Sequence, residues 1–448
     1  MPQRFVQFVN TFSHHFRSYR HDVSDGARQY LNGLLQAGQH KNMLHMAEVV
    51  PKADARNLQQ FLTHSKWEAR AVMDQVAQEV NRVLGHAREA CLLLDESGFA
   101  KQGKKSVGVA RQWLGRQGKV DNGQVGVFGV LCYGERAALV DARLYLPKEW
   151  TDDPPRCAEA GVPQSERVFR TKDELAVEII VHAREQGLKF GWVGADAGYG
   201  KSPETFYRLR ELNETFFIDV PSDFSVYLDS FQPQLPTTGK PGRPSQRYRT
   251  TQTKQEVRKL KGLTNATAWT KVKVRQTTRG PLKLRAWRRV VYVWQASQAE
   301  PLRLILLVTE NLDGTERKYT LTNAPEETPL RRLAFQQRQR YWVERVFEDG
   351  KGTCGMADYQ VQKWSGWHHH MALVMMAMFF MLSERVAQKA VNPMLSCADI
   401  EALLVHYLPR RDIEEAEVIR QLRQRHRLRE RAIQSHTKRA KRRRKAAV

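Results

Sequence analysis

The sequence has few cysteines and no apolar run long enough to cross a bilayer, and both shortages exclude classes of protein. Five of its 448 residues are cysteines, and none form a C-x-x-C pair. This argues against a disulfide framework or a structural zinc site and favours a reducing compartment. The N-terminus has no apolar signal core, and the longest apolar run, 371–382, is typical of a buried helix. We therefore predict a cytoplasmic protein that does not bind membranes.

Acidic residues are also scarce, with 48 Asp and Glu against 72 Lys and Arg and a net charge of +24. This excess predicts a polyanionic partner, and we expect double-stranded DNA. Half of the net charge lies in residues 420–448, which contain thirteen basic residues and one acid, Glu430. Such a block is typical of a disordered arm that binds phosphates, although a solubilising tail would have the same composition.

The periodicity of apolar residues predicts an α/β protein. Helical spacing dominates the first part of the chain, and strand-like runs follow. Thr171 and Ser202 are predicted N-caps of two helices between these runs. The predicted strands are 91–95, 124–132, 137–146, 190–196 and 215–220. Their order with the helices is that of the ribonuclease H-like fold, a mixed sheet with helices on both faces.

The later segments complete the predicted domain organisation. Residues 221–327 contain a Pro/Gly-rich basic stretch and further strand-like runs, which predicts a β-rich insertion. Thr328 and Pro329 predict a long helix that ends near Lys351. The predicted domains are a helical DNA-binding or multimerisation domain (1–88), the first part of the catalytic core (89–220), the insertion (221–327), the second part of the core (328–390) and a helical C-terminal region with a basic tail (391–448). A lid packed on the core is an alternative for the first segment.

Three acids are the candidate catalytic residues. Asp95 and Asp196 end two predicted parallel strands, where ligands bind in open α/β sheets. On the long helix, Arg340, Glu344 and Lys351 lie within about 40° of each other at about 100° per residue. A solvated face with a charge pair would give the same stripe, and Glu348, one turn on, is an alternative to Glu344.

These residue types suit phosphoryl transfer by two metal ions. Hard cations such as Mg²⁺ bind carboxylate oxygens, so the acids at 95, 196 and 344 are predicted to hold two Mg²⁺ ions, for which Mn²⁺ can substitute. Such ions activate the attacking oxygen and stabilise the leaving one. The cationic side chains beside the glutamate are predicted to bind the flanking phosphates.

The motif R-x3-E-x6-K, at Arg340, Glu344 and Lys351, resembles that of cut-and-paste bacterial insertion-sequence transposases of the DDE superfamily. Residues 94–109, 194–200, 342–351 and 367–371 resemble segments of the same enzymes, in the same order. Their motif has Tyr where Gln337 stands here. The resemblance implies cleavage at the inverted repeats of an element, joining of the 3′ hydroxyls to target DNA, and a homodimer in the synaptic complex.

Other basic and aromatic residues are candidate DNA contacts. Lys101, Lys104 and Lys105 lie in the segment of the first aspartate, and Arg243 lies in a Gly-Arg-Pro sequence that resembles a minor-groove hook. A basic linker is the alternative interpretation for Arg243. Trp287 and Trp294 are candidates for stacking on an extruded base, although sheet packing is the more common role. His368–His370 are expected at a helix start or facing DNA.

Two other functional classes are compatible with parts of the sequence. Residues 195–202 nearly match a P-loop between a strand and a helix, but Ala195 replaces the first glycine and Asp196 lies inside the loop. This supports a DNA-binding NTPase as an alternative. A non-catalytic DNA-binding protein would have the same charge, but it gives no reason for acids at strand ends.

Overall fold

The computed structural model describes residues 2–19, 21–38, 40–236, 246–277 and 279–445. The predicted DNA contact at Arg243 lies outside these residues. The helices are α1 (Pro2–Thr11), α2 (Ser24–Gln36), α3 (Met43–Val49), α4 (Ala55–Thr63), α5 (Ala69–Leu84), α6 (Lys148–Thr151), α7 (Pro154–Glu159), α8 (Lys172–Glu185), α9 (Pro203–Glu211), α10 (Leu330–Arg338), α11 (Tyr341–Thr353), α12 (Trp364–Ala387), α13 (Cys397–Tyr407) and α14 (Glu415–Lys445). The strands are β1 (Cys91–Ala100), β2 (Ala110–Leu114), β3 (Lys119–Tyr133), β4 (Arg136–Leu144), β5 (Trp192–Ala195), β6 (Phe216–Val220), β7 (Ser225–Val226), β8 (Gln255–Glu256), β9 (Thr270–Thr277), β10 (Gly280–Val293), β11 (Leu302–Asn311) and β12 (Arg317–Thr322).

One large mixed sheet organises the protein, which confirms the α/β class. Its order is β2-β3-β1-β5-β6-β12-β11-β10-β9, and β4 pairs with β3. Strands β1, β5 and β6 are parallel to one another, and the other pairs are antiparallel. The predicted N-caps are confirmed on both helices beside the parallel strands. Thr171 and Glu174 form a capping box on α8, and the Ser202 side chain accepts from the backbone N–H of Glu204 on α9.

The β-rich segment 221–327 continues the central sheet. Strand β12 pairs with β6, with Leu321 opposite Ile218, and β11, β10 and β9 follow outward. Both paired residues are buried, so the added strands share the core of β6. Strand-like composition was predicted for this segment, but its outer strand β9 was not, and neither was the edge strand β2 of residues 110–114.

The N-terminal helices pack against α12, which is the central helix of the core. Helices α2, α4 and α5 contact α12, and apolar residues from Phe5 to Leu84 belong to the same buried cluster as those of the sheet. Helix α12 is long and apolar enough to cross a membrane, but 78% of its apolar window is buried inside the protein. It therefore has the position of a core helix, as expected for 371–382.

Two helical predictions need correction. The long helix expected over 328–351 is two helices, because Trp342 and Val343 form i→i−3 hydrogen bonds to Gln339 and Arg340 that interrupt the α-helical pattern. The basic C-terminal segment is not a disordered arm, because residues 415–445 form helix α14. Arg425 holds the start of this helix on the N-terminal region through two hydrogen bonds to Glu48.

Candidate active site

A pocket of about 720 Å³ lies where the pairing of the parallel strands β1 and β5 ends. Asp196 directly follows β5 as predicted, but Asp95 lies inside β1, which continues to Ala100 because it pairs with β3 over its whole length. The lining of the pocket contains the three predicted catalytic acids and two predicted cationic residues: Asp95, Asp196, Glu344, Arg340 and Lys351. The stripe predicted from 100° per residue is therefore confirmed across the helix break. Arg340 retains helical backbone angles as the N-cap of α11, which places its side chain on the same face as the two later residues.

Three aspartates form a row across the parallel strands. In the sheet register Leu94 lies opposite Ala195, and Ala195 lies opposite Ile218. One residue further along each strand are Asp95, Asp196 and Asp219. Asp219 was not predicted, although it also follows an apolar run, in Phe216-Phe-Ile-Asp219.

The guanidinium of Arg340 lies among these carboxylates. Its Nη1 is 3.6 Å from Oδ2 of Asp95, its Nε is 3.6 Å from Oδ2 of Asp219, and its Nη2 donates to Oε1 of Glu344 over 2.7 Å. The arginine side chain is 17% exposed. Arg340 therefore connects two strands of the row to the glutamate on α11.

Burial and like charges perturb the titration of this cluster. Burial raises the pKa of Asp95 to about 7, and the charge of Asp196 adds to the rise, while Arg340 opposes it. Burial also raises the pKa of Asp219, against a hydrogen bond from Thr320. Burial lowers the pKa of Arg340, but the charges of Asp219, Asp95 and Glu344 outweigh it and raise the pKa overall. The site thus concentrates negative charge in a partly dry environment, as many functional sites do.

The two candidate glutamates differ in their partners. Both line the pocket, but Glu348 bonds to Arg345 and its side chain is 69% exposed. Glu344 bonds to Arg340, which faces the aspartate row. The arrangement therefore favours Glu344 as the third acid.

The predicted lysines occupy different environments. Lys351 lines the pocket, with its Nζ 3.4 Å from the carbonyl oxygen of Gly98. Lys104 and Lys105 are exposed on the loop between β1 and β2. Lys101 instead donates to the carbonyl of Tyr359 and lies 3.3 Å from the centre of that ring. Burial lowers the pKa of Lys101 to about 7. A DNA contact by Lys101 would require its ammonium group to leave Tyr359.

The exposed aromatic residue at the pocket was not predicted. Trp113 lines the pocket and is 54% exposed. Trp287 is buried in the sheet, and Trp294 donates to the carbonyl of Gln298 and packs against Phe231. Both therefore pack within the fold, as their alternative interpretation held. No sequence signal marked Trp113, because the strand that carries it, β2, was not predicted.

Two other sequence signals have structural roles. The histidine run lies near the start of α12, as one alternative held, but its expected DNA-facing position is wrong. The two ring nitrogens of His369 lie 2.8 and 2.9 Å from the carbonyl oxygens of Leu62 and Trp67 in the core, and His370 bonds to Tyr30. In the P-loop-like turn, Asp196 itself accepts from the backbone N–H of Gly198. That donor does not face an open phosphate cradle, so the turn gives the NTPase alternative no support.

The donor chemistry of the pocket fits a divalent cation. Asp95, Asp196 and Glu344 offer only hard oxygen atoms. Burial and then the charge of Asp196 raise the pKa of Asp95, and a cation between the aspartates would relieve their repulsion. Within the described ranges, no group of three acidic, histidine or cysteine side chains is close enough to hold a metal as it stands. Glu344 would therefore have to turn from Arg340 towards the row.

Comparisons with known proteins show the family of this chain. The family described as DDE superfamily endonuclease matches residues 7–281. The chain is also similar to the protein named "Probable transposase for insertion sequence element IS701" from Microchaete diplosiphon, with 28% identity over 363 residues that cover 80% of this chain and 82% of the relative. Because the family match covers more than half of the 448 residues, the chain belongs to the DDE superfamily of endonucleases, and it is a DNA-cleaving transposase enzyme.

Proposed function

We propose that this enzyme is the transposase of an insertion sequence, cleaving DNA at the element's ends and joining the 3′ hydroxyls to target DNA. The observation that carries the proposal is the single pocket in which Asp95 and Asp196 lie one residue beyond the paired part of two adjacent parallel strands, while Glu344 lines the same pocket from α11. The family match includes both aspartates and ends before the glutamate. The assignment of Glu344 as the third acid therefore rests on its bond to Arg340 and on the R-x3-E-x6-K motif.

Enzymes of this superfamily depend on divalent cations. Asp95, Asp196 and Glu344 would hold two Mg²⁺ ions, or Mn²⁺ in their place. When bound, such ions activate the attacking oxygen and stabilise the leaving one. Arg340 and Lys351 would bind the phosphates next to the cut, since both line the pocket.

Around this site we propose a ribonuclease H-like core in two parts, 89–220 and 328–390. The antiparallel strands β4, β3 and β1 followed by the parallel strands β5 and β6 support it. Residues 1–88 would bind DNA or multimerise, and 391–448 would bind phosphates. Paired element ends would require at least a homodimer in the synaptic complex. Arg243, Lys104 and Lys105 would add contacts to double-stranded DNA, and so would Lys101 after leaving Tyr359.

The test is cleavage of a DNA duplex that carries the inverted repeats flanking the gene, with Mg²⁺ and with EDTA. We expect strand cuts at the repeat ends with Mg²⁺ and none with EDTA. A matched duplex with scrambled repeats separates end recognition from unspecific nicking. Cleavage that required a nucleoside triphosphate would favour the NTPase alternative, and binding without cleavage would favour a non-catalytic DNA-binding protein.

A further inference from the structure

A buried chain of polar side chains connects the sheet to the arginine of the site. Thr309 on β11 donates to Oε1 of Gln337, and Nε2 of Gln337 donates to Oγ1 of Thr320 on β12. Thr320 in turn donates to Oδ1 of Asp219 on β6. The other oxygen of Asp219, Oδ2, faces Nε of Arg340 at 3.6 Å. The chain of hydrogen bonds thus runs from β11 through α10 and β12 to β6, where Asp219 faces the arginine.

Burial makes this chain more than a set of surface contacts. Thr309 and Thr320 have no exposed surface, and Gln337 is 4% exposed. Buried polar groups are costly unless they are hydrogen-bonded, so each member requires its neighbour. Within this chain each hydroxyl and the amide have a partner. The direction of every hydrogen bond therefore leads to the carboxylate of Asp219.

The sheet register fixes where that carboxylate lies. Thr320 is the register partner of Asp219 in the β6–β12 pair, so the two side chains meet on one face. The Nε of Arg340 is buried and has no hydrogen-bond partner of its own. Asp219 is therefore the charge that this end of the guanidinium faces, while the other end faces Asp95 and Glu344.

We propose that Asp219, Thr320 and Gln337 are positioning residues for Arg340, and through it for Glu344. The proposal rests on the proposed function of Arg340 in DNA cleavage. It gives Gln337 a role at the position three residues before the arginine. It also explains why the strands of segment 221–327 join the core sheet at β6, since β12 supplies the hydroxyl that orients Asp219.

The test compares two substitutions of Thr320. If Thr320 acted only by packing, Thr320→Ser would be the more damaging one, whereas a positioning role makes Thr320→Val the more damaging one. Thr320→Val keeps the volume and removes the hydroxyl, whereas Thr320→Ser keeps the hydroxyl and removes a methyl group. With saturating DNA carrying the element ends, we expect the single-turnover cleavage rate of Thr320→Val to fall about tenfold to a hundredfold, the scale of a misplaced catalytic group. Thr320→Ser should cleave at the wild-type rate. The reverse order, or two equal rates, would overturn the proposal.

A second variant and a second readout keep the test decisive. Asp219→Asn keeps the shape and can still accept from Thr320, but it loses the charge facing Arg340, so its cleavage rate should fall as well. If Thr320→Val does not fold, as its melting curve would show, Asp219→Asn carries the test. A wild-type rate in Asp219→Asn would then reject the proposal.

The second readout requires no cleavage. Phenylglyoxal modifies accessible guanidinium groups, and peptide mass spectrometry resolves the rate at Arg340. We expect several-fold faster modification of Arg340 in Thr320→Val and Asp219→Asn than in the wild type, with no change at Arg82, whose side chain is 70% exposed. An unchanged rate at Arg340 would overturn the positioning role. Failure of the wild type to cut DNA would instead count against the proposed function, so the two failures are distinguishable.

Discussion

The Nη2 of Arg340 lies 2.7 Å from Oε1 of Glu344, one turn along α11. The two partners differ in burial, since the arginine side chain is 17% exposed and the glutamate side chain is 53% exposed. Arg340 is held by Asp95 and Asp219 on the sheet, so it orients the more exposed glutamate. Arg340 thereby connects Glu344 with Asp95 and Asp219 in one site.

Arg340→Ala is expected to weaken both binding of the element ends and their cleavage. Loss of a charged hydrogen bond to a phosphate corresponds to about 1.5–3 kcal/mol, or roughly ten- to hundredfold in the dissociation constant. Arg340→Lys should recover little, because a point charge does not reproduce the planar fork of the guanidinium. Gel-shift titration and single-turnover cleavage measure the two effects.

Lys351→Ala is the matched variant on the same face and should be milder, because Lys351 lies in the last turn of α11. Full recovery of Arg340→Ala when Mn²⁺ replaces Mg²⁺ would show that Arg340 acts only through the metal site, by orienting Glu344. The assignment of Arg340 to phosphate binding would then be wrong.

Trp113→Ala is expected to weaken DNA binding without lowering the melting temperature. The ring is 54% exposed at the mouth of the pocket, and stacking of a base on an aromatic ring contributes about 1–3 kcal/mol. Trp113→Phe should retain most of the affinity. Tyr407→Ala, which removes a 57% exposed ring from α13, is the control away from the pocket. Equal affinities for all three variants would remove Trp113 from the DNA interface.

Removal of residues 427–448 is expected to weaken binding to all DNA sequences alike. This truncation removes ten Lys or Arg and leaves the contact of Arg425 with Glu48 in place. Each lost phosphate contact should flatten the slope of log K against log salt by roughly 0.9. Replacing the same ten residues with Gln is the control for loss of chain length. An unchanged slope would mean that this part of α14 does not contact DNA.

Acid should destabilise the protein through its buried histidines. Burial lowers the pKa of His368 and of His370 to about 3, below the ordinary value of 6.5. Below pH 6.5 the unfolded chain therefore binds more protons than the folded one, so the free energy of unfolding decreases as pH falls towards 3. The slope is at most about 1.4 kcal/mol per pH unit for each histidine.

Urea unfolding of the wild type and of His370→Gln between pH 7 and pH 4 measures this slope. The variant should show a slope smaller by about 1.4 kcal/mol per pH unit at most, because one of the titrating histidines is gone. If the free energy of unfolding depends on pH in the same way in the wild type and the variant, His370 already accepts a proton in the folded protein.

The sequence was informative where one residue's environment follows from its neighbours. The apolar run before Asp196 predicted the end of β5, whereas Asp95 lies inside β1, which continues to Ala100. The i, i+4 spacing of Arg340 and Glu344 predicted their shared face. The capping box at Thr171 and the buried helix over 371–382 were predicted for the same reason, since each depends on local pattern.

What the sequence did not predict depends on pairing between distant segments. Asp219 resembles any strand-end acid until β6 is known to lie beside β5, and Thr320 acquires its role only because β12 pairs with β6. Near the break before α11, the buried Gln337 bonds to strands β11 and β12, and helix propensity does not record such bonds between distant segments. Likewise, the segment over 415–445 has the composition of a disordered arm but is helical.

The most direct test of the account is cleavage of end-bearing DNA by variants that keep the shape of each acid but remove its charge. Asp95→Asn, Asp196→Asn and Glu344→Gln should each abolish cleavage in Mg²⁺ while binding the same DNA with nearly wild-type affinity, because these acids would hold metal ions rather than bases. Glu348→Gln, one turn further along α11, is the matched control and should cleave like the wild type. Normal cleavage by Glu344→Gln together with none by Glu348→Gln would contradict the assignment of the third acid, and normal cleavage by Asp95→Asn or Asp196→Asn would contradict the site itself.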